Sequence, residues 1–197
     1  MIIGLTGKTG SGKSTAARIF EEDGFFVLDF DRISRDTTKK GSPCLDELVN
    51  CFGKEIITSD GELDRKLLGQ IVFSDSQKLA RLNEVSHKYI LEESEKIMDA
   101  HKGKNLILDA PLLFEAGLEK RCDFVVGVIA PIDERVKRIC KRDGIDKSLA
   151  MKRINNQKPD SFFRKNCDFI IENNKDTEHM KIQIQSILRS IFNDTVI

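Results

Sequence analysis

The chain has 197 residues, enough for a sizeable core in one domain with elaborations or one domain with an insertion. Lysine plus arginine and aspartate plus glutamate both total 32, which excludes a global basic field for nucleic acid or a membrane surface and leaves any polyanion site local. No apolar run approaches the ~18 residues of a membrane span, and five scattered cysteines without a C-x-x-C pair read as reduced small hydrophobes, not as a disulfide frame or a zinc site.

Ile2, Ile3 and Leu5 form a short apolar run that reads as a buried strand. The N-terminus enters it directly, so no cleaved signal is expected and the expected location is the cytoplasm. Next comes Gly7-Lys8-Thr9-Gly10-Ser11-Gly12-Lys13-Ser14, which fits G-x-x-x-x-G-K-[ST], the phosphate-binding P-loop. Ala16, Ala17, Ile19 and Phe20 then gather on one side of a helix expected to end near Gly24. Strand, loop and helix together are the context the motif requires. Its glycines let the backbone bring N–H groups against phosphate oxygens, and the helix N-terminus adds a fixed partial positive charge. The expected nucleotide site is therefore Gly10, Ser11, Gly12, Lys13, Ser14 and Thr15. Lys13 would reach the β- and γ-phosphates, and the Ser14 hydroxyl would ligate Mg²⁺.

Residues 25–28 read as a second strand that delivers Asp29 and Asp31 at its carboxyl end, where open α/β sheets place their ligands. If the strand continues that far, its period of two puts both acids on one face. The next core strand is 105–109, and the interval is far longer than a βαβ crossover. Ser42 and Pro43 start a helix whose Leu45, Leu48, Val49 and Phe52 repeat at helical spacing before Gly53. Gly61-Glu62-Leu63-Asp64-Arg65 begins a second helix through Leu68, Ile71 and Val72, and a longer one runs from Leu79 past Met98 towards Gly103. Residues 32–104 thus read as a helical insertion between two parts of one core, residues 1–31 and 105–197.

Asp109 closes the 105–109 strand. It is either an acid that holds Mg²⁺, directly or through water, or a cap of the following turn. Residues 124–129 read as the fourth strand. After Pro131 a helix carries Arg135, Arg138 and Arg142 at i, i+3 and i+7, on one face. Such a stripe is either a solvated face or a phosphate-facing lid, and arginine favours the lid because its planar fork suits phosphate. A second short helix over 148–157 would complete a lid at about 133–158. Residues 168–171 read as the fifth strand, and Asn173 beyond it is a turn residue or an adenine contact. A helix over 176–192 buries Met180, Ile184, Ile187, Leu188 and Ile191 and reads as structural.

With these residues assembled, the chain resembles the dephospho-CoA kinase family nearly end to end. The resemblance rests on the P-loop, Leu28-Asp29-Phe30-Asp31, Gly41-Ser42-Pro43, Phe52-Gly53 and 60–65. It continues through Val72-Phe73, His87, Pro111-Leu112-Leu113-Phe114-Glu115, the arginine helix, Gln157 and 168–173. It implies a P-loop NTPase three-layer α/β fold with a five-stranded parallel sheet, a helical insertion that binds dephospho-CoA and a helical lid. The implied reaction is ATP-dependent phosphorylation of the ribose 3′-hydroxyl of dephospho-CoA, the last step of coenzyme A synthesis. The partners are then ATP and dephospho-CoA with Mg²⁺, and neither nucleic acid nor membrane. The resemblance makes Asp31 the general base, with Asp29 as the alternative. It places Lys13 on the ATP phosphates, Arg138 and Arg142 in the lid and Asn173 near the adenine. His87 is a substrate contact or a structural residue, and Arg65 meets a substrate phosphate or pairs with Asp64. The chain departs from the family pattern at Lys8-Thr9 (usually Gly-Ile), at Lys88 (usually Pro) and at Arg135 (usually Gln). The rival readings are another P-loop small-molecule kinase and a slow nucleotide-hydrolysing switch module.

Overall fold

The computed structural model describes residues 1–194. Its sheet has five parallel strands in the order β2-β3-β1-β4-β5: β1 (Ile2–Gly7), β2 (Phe26–Asp29), β3 (Leu106–Asp109), β4 (Phe124–Ile129) and β5 (Phe169–Glu172). β1 is central, with Leu5 opposite Asp109 on one side and opposite Val126 on the other. The inner strands β1, β3 and β4 are buried along almost their whole length, as strands covered on both faces should be.

Alternate side chains of the strands point to opposite faces. On one face Ile3, Leu5, Ile107, Val126, Val128 and Ile171 pack against α1 (Lys13–Glu22) and α9 (Thr177–Asp194), whose Ile19, Phe20, Met180 and Ile184 are fully buried. On the other, Gly4 leaves so little room that a Cβ would lie 2.8 Å from Cys122 Sγ. The cysteines are free, and burial pushes the thiols of Cys122 and Cys167 up to about 12, so they act as the small hydrophobes their spacing implied.

The chain divides into two compact units, Met1–Val27 with Gly103–Ile197, and Leu28–Lys102. The second unit is helical: α2 (Phe30–Thr37), α3 (Pro43–Phe52), α4 (Arg65–Phe73) and α5 (Ser76–Ala100). Its own core is Cys44, Leu48, Phe52, Ile56, Leu68, Val72 and Val85. The helix starts are those the capping residues dictate. Ser42 accepts from Leu45 N at 3.2 Å with Pro43 at the first position, and Asp64 accepts from Leu67 N at 2.9 Å.

α2 was not anticipated. The second strand stops at Asp29, whose side chain leaves the strand pattern to cap α2, accepting from Arg32 N at 3.0 Å. Asp31 then sits in the first helical turn, so the two acids do not share a strand face. The competing signal was the short polar cap itself, which outweighs the continuation of a four-residue strand. The remaining helices belong to the first unit: α6 (Ile132–Asp143), α7 (Lys147–Asn155) and α8 (Asp160–Asn166). α6 and α7 pack through Val136, Ile139, Ala150 and Ile154. α8 is the second helix that the sequence pattern did not announce.

Candidate active site

The loop from Gly7 to Lys13 closes on itself and opens its amides outward. Ser11 N donates to Lys8 O at 3.0 Å, and Thr15 N and Ala16 N donate to Gly12 O at 3.0 and 3.1 Å. Gly10 and Gly12 have φ of 75° and 99°, a region that favours glycine. A Cβ at Gly12 would also overlap Asn173 Nδ2. The amides of Gly10, Gly12, Lys13 and Ser14 have no protein partner among the described residues, and they stand at the N-terminus of α1. This is a nest for phosphate oxygens.

The carbonyls of the same loop are taken by side chains of the first unit. Arg135 is fully buried; its Nε donates to Thr9 O at 2.9 Å and its Nη2 to Gln157 Oε1 at 2.9 Å. Gln157 Oε1 also accepts from Thr9 N at 3.0 Å, so the two side chains bracket both ends of the Thr9 residue. Burial pulls the Arg135 guanidinium below its ordinary pKa, and the nearby Asp160 carboxylate opposes this. Lys8, also buried, is ion-paired with Asp160 at 2.7 Å. Arg138 Nη1 reaches Gly10 O and Ser11 O at 3.2 and 3.4 Å, and Asn173 Nδ2 donates to Ser11 O at 2.8 Å. Tying the carbonyls back in this way leaves the amides to face a ligand.

The arginine stripe therefore does face the phosphate loop, but its members differ. Arg135 is part of the loop's scaffold and is enclosed, unlike a lid residue. Arg138 is half-buried against the loop backbone. Arg142 is exposed; Asp143 accepts from its Nε at 2.6 Å and its Nη2 at 2.9 Å, which raises the Arg142 pKa and lowers that of Asp143. Arg153 donates to the same Asp143 at 2.5 Å. Asn173, expected at a turn or an adenine edge, holds its amide group against the loop.

Lys13 Nζ is ion-paired with Asp109 Oδ1, and both are largely buried. Asp109 is thus not a free acid. Ser14 is exposed at the first turn of α1, and its hydroxyl makes no hydrogen bond among the described residues. In the second unit, Asp31 is exposed, and its carboxylate makes no hydrogen bond or ion pair among the described residues. Arg65 does not pair with Asp64: it donates to Thr38 Oγ1 at 2.5 Å, while Asp64 caps α4. His87 is half-buried on α5. Residues that sequence reasoning passed over are Lys8, Asp160 and Gln157 as supports of the loop. The ends of the Lys8 to Asp160 contact are 152 residues apart, so no local pattern could have paired them.

A glycine-rich nest on β1–α1, a buried lysine and arginines of the same chain converging on it define a P-loop phosphotransferase of the small-molecule kinase class. A family model of dephospho-CoA kinases matches residues 1–179. A dephospho-CoA kinase of Carboxydothermus hydrogenoformans is 40% identical over 95% of this chain and 93% of its own length. One of Corynebacterium glutamicum is 38% identical over 96% and 98%. Among solved structures, TT1252 from Thermus thermophilus superimposes with a TM-score of 0.84 at 32% identity, covering 96% of this chain and 97% of that one. The chain belongs to the dephospho-CoA kinase family, enzymes of the last step of coenzyme A synthesis.

Proposed function

We propose that this chain moves the γ-phosphoryl group of ATP to the ribose 3′-hydroxyl of dephospho-CoA with Asp31 as the base. The hydroxyl oxygen bonds to the γ-phosphorus, the bond from that phosphorus to the β,γ-bridging oxygen breaks, ADP leaves, and the hydroxyl proton passes to Asp31. The observation that carries the reading is the amide nest with Lys13 beside it, in a chain matched to the family over residues 1–179. Phosphoryl transfer asks the protein mainly for positioning and charge neutralisation. The loop amides and Lys13 supply both to the ATP phosphates, and Gly10, Ser11, Gly12, Ser14 and Thr15 frame them. Arg138 and Arg142 add charge; for Arg142 this means exchanging Asp143 for phosphate.

Ser14 and Asp109 are the residues that would hold Mg²⁺. An unbonded hydroxyl and a carboxylate at the strand end fit a hard cation, and two protein oxygens suit an ion that keeps waters and phosphate oxygens as its other ligands. When bound, Mg²⁺ neutralises charge on the phosphates. The helical unit takes the acceptor, with Arg65 and His87 as its contacts. Among the described residues no helix is long and apolar enough to cross a membrane.

Between the two acids, Asp31 is favoured because its carboxylate is exposed and unbonded while Asp29 is engaged as a helix cap. General-base assistance is typically worth ~10²–10⁴ in rate. Asp31→Asn is therefore expected to lower kcat roughly 100-fold or more with ATP affinity little changed. Asp29→Asn should keep most of its kcat and melt slightly earlier. Steady-state ADP release with dephospho-CoA, AMP and shikimate as acceptors, together with calorimetric ATP binding, checks both points. Loss of kcat in Asp29→Asn and not in Asp31→Asn would reverse the assignment, and turnover of AMP or shikimate but not dephospho-CoA would end it.

A further inference from the structure

The junction of α6 and α7 brings Arg142, Asp143 and Arg153 together. Asp143 is the last residue of α6, and Gly144, with φ of 65°, ends that helix. A carboxylate at a helix C-terminus faces the negative end of the helix dipole, so it is stable there only with cations beside it. Arg142 donates from Nε to its Oδ1 at 2.6 Å and from Nη2 to its Oδ2 at 2.9 Å. Arg153, on α7, donates from Nη1 to the same Oδ2 at 2.5 Å. The two-pronged grip of Arg142 is the geometry in which arginine also takes phosphate.

Arg142 stands at the phosphate loop, with Nη2 at 3.5 Å from Thr9 Oγ1. The edge of its guanidinium that faces Asp143 can meet a phosphate oxygen only after that pair opens. The two arginines then differ in their effect. When Arg142 turns to phosphate, Arg153 still neutralises Asp143, which is half-buried. Without Arg153 the same movement would leave a bare carboxylate at the end of α6. Asp143 therefore opposes the release of Arg142, and Arg153 eases it.

We infer that Asp143 is an internal stand-in for phosphate that holds Arg142 until ATP binds, and that Arg153 is a positioning residue that keeps Asp143 neutralised once Arg142 has moved to the ATP phosphates. The inference rests on the proposed role of Arg142 on those phosphates. Asp143 and Arg153 touch no reacting atom; both act through Arg142. Removing one or the other should therefore move ATP affinity in opposite directions, which a shared role in folding would not do.

Calorimetry of Mg-ATP binding without acceptor tests this, at physiological salt so that distant charges are screened. Asp143→Asn should tighten ATP by roughly threefold, the size expected for opening an exposed ion pair. Arg153→Met should weaken it by about the same factor. In the Asp143→Asn background, Arg153→Met should change nothing further, which separates a residue acting through Asp143 from one that touches phosphate itself. Unchanged or weaker binding in Asp143→Asn, unchanged binding in Arg153→Met, or an effect of Arg153→Met that survives in the double variant overturns the latch and leaves the proposed reaction intact. Wild-type affinity in Arg142→Met ends the proposed role of Arg142 and the latch with it. Absence of dephospho-CoA-dependent ADP release in the wild type ends the proposed reaction alone, because the binding measurements use no acceptor.

Discussion

The two units hold themselves together by different means. The helical unit has an ordinary apolar core around Leu48, Val72 and Val85, and its buried polar residues are two small hydroxyl side chains, Thr38 and Ser94. The sheet unit has an apolar core as well, yet it also buries Lys8, Asp109, Arg135 and Asn173, along with Thr6 and Ser11. Burying a charge is costly unless it is paired and hydrogen-bonded. Lys8 is paired with Asp160 and Asp109 with Lys13, whereas Arg135 donates to the neutral oxygens of Thr9 and Gln157 and keeps a buried Nη1 without a partner among the described residues. These polar contacts converge on one loop, so the sheet unit carries the desolvation cost where phosphate is to be held. The helical unit can be read as packing; the sheet unit has to be read as packing and electrostatics.

That contrast is open to attack at its strongest point first. Lys13→Ala removes the charge on the phosphates and leaves Asp109 buried without its lysine. It should lower kcat by ~100-fold or more, as loss of one preorganised transition-state contact does, while the circular dichroism spectrum is retained. Near-normal turnover would mean that the buried charges serve folding alone.

Arg135→Met tests the scaffold. It deletes two hydrogen bonds in an enclosed site and leaves Gln157 and the Thr9 carbonyl short of a donor. Denaturant unfolding should show a loss of about 2–4 kcal/mol. Because the Thr9 peptide loses its bracket, the KM for ATP should also rise. A stability loss without any change in KM would make Arg135 a purely structural residue.

A cap in the helical unit gives the smaller, local effect expected where electrostatics matter less. Asp64→Ala frees the Leu67 amide and should cost about 1 kcal/mol in the same unfolding experiment, with the KM for ATP unmoved.

The smallest effect is a pH dependence. The Arg142 hydrogen bonds, helped by Arg153, hold the Asp143 carboxyl below its usual range. A depressed carboxylate pKa stabilises the fold above the unfolded value, near 4, and that contribution fades as the pH falls through the folded value. The protection of amides at the junction of α6 and α7, measured against the intrinsic exchange rate at each pH, should therefore fall below about pH 4. Asp143→Asn should remove that dependence.

Much of this was legible in the order of residues because the forces involved are local. A P-loop needs its glycines and lysine at fixed offsets, and a helix in the second unit announces itself through Ser42-Pro43 and ends at Gly53. The fourth strand, Phe124–Ile129, is a plain apolar run. The same local reasoning misjudged Asp29, because a cap and a strand end look alike when only the neighbours are known. The family's signature stretches also carried the assignment of the chemistry.

What the chain order could not contain is which distant groups share a charge or a hydrogen bond. Arginines at i, i+3 and i+7 are bound to share a helix face, and the sequence by itself determined that. Only the tertiary structure decided that Arg135 is enclosed, that Arg138 lies on the loop backbone and that Arg142 is held by Asp143. It likewise decided that Lys13 faces Asp109 and that Gln157 brackets Thr9 from 148 positions away. The reason is physical. Periodicity and capping depend on backbone geometry over a few residues, whereas pairing of buried charges depends on which side chains the sheet order brings into one low-dielectric place.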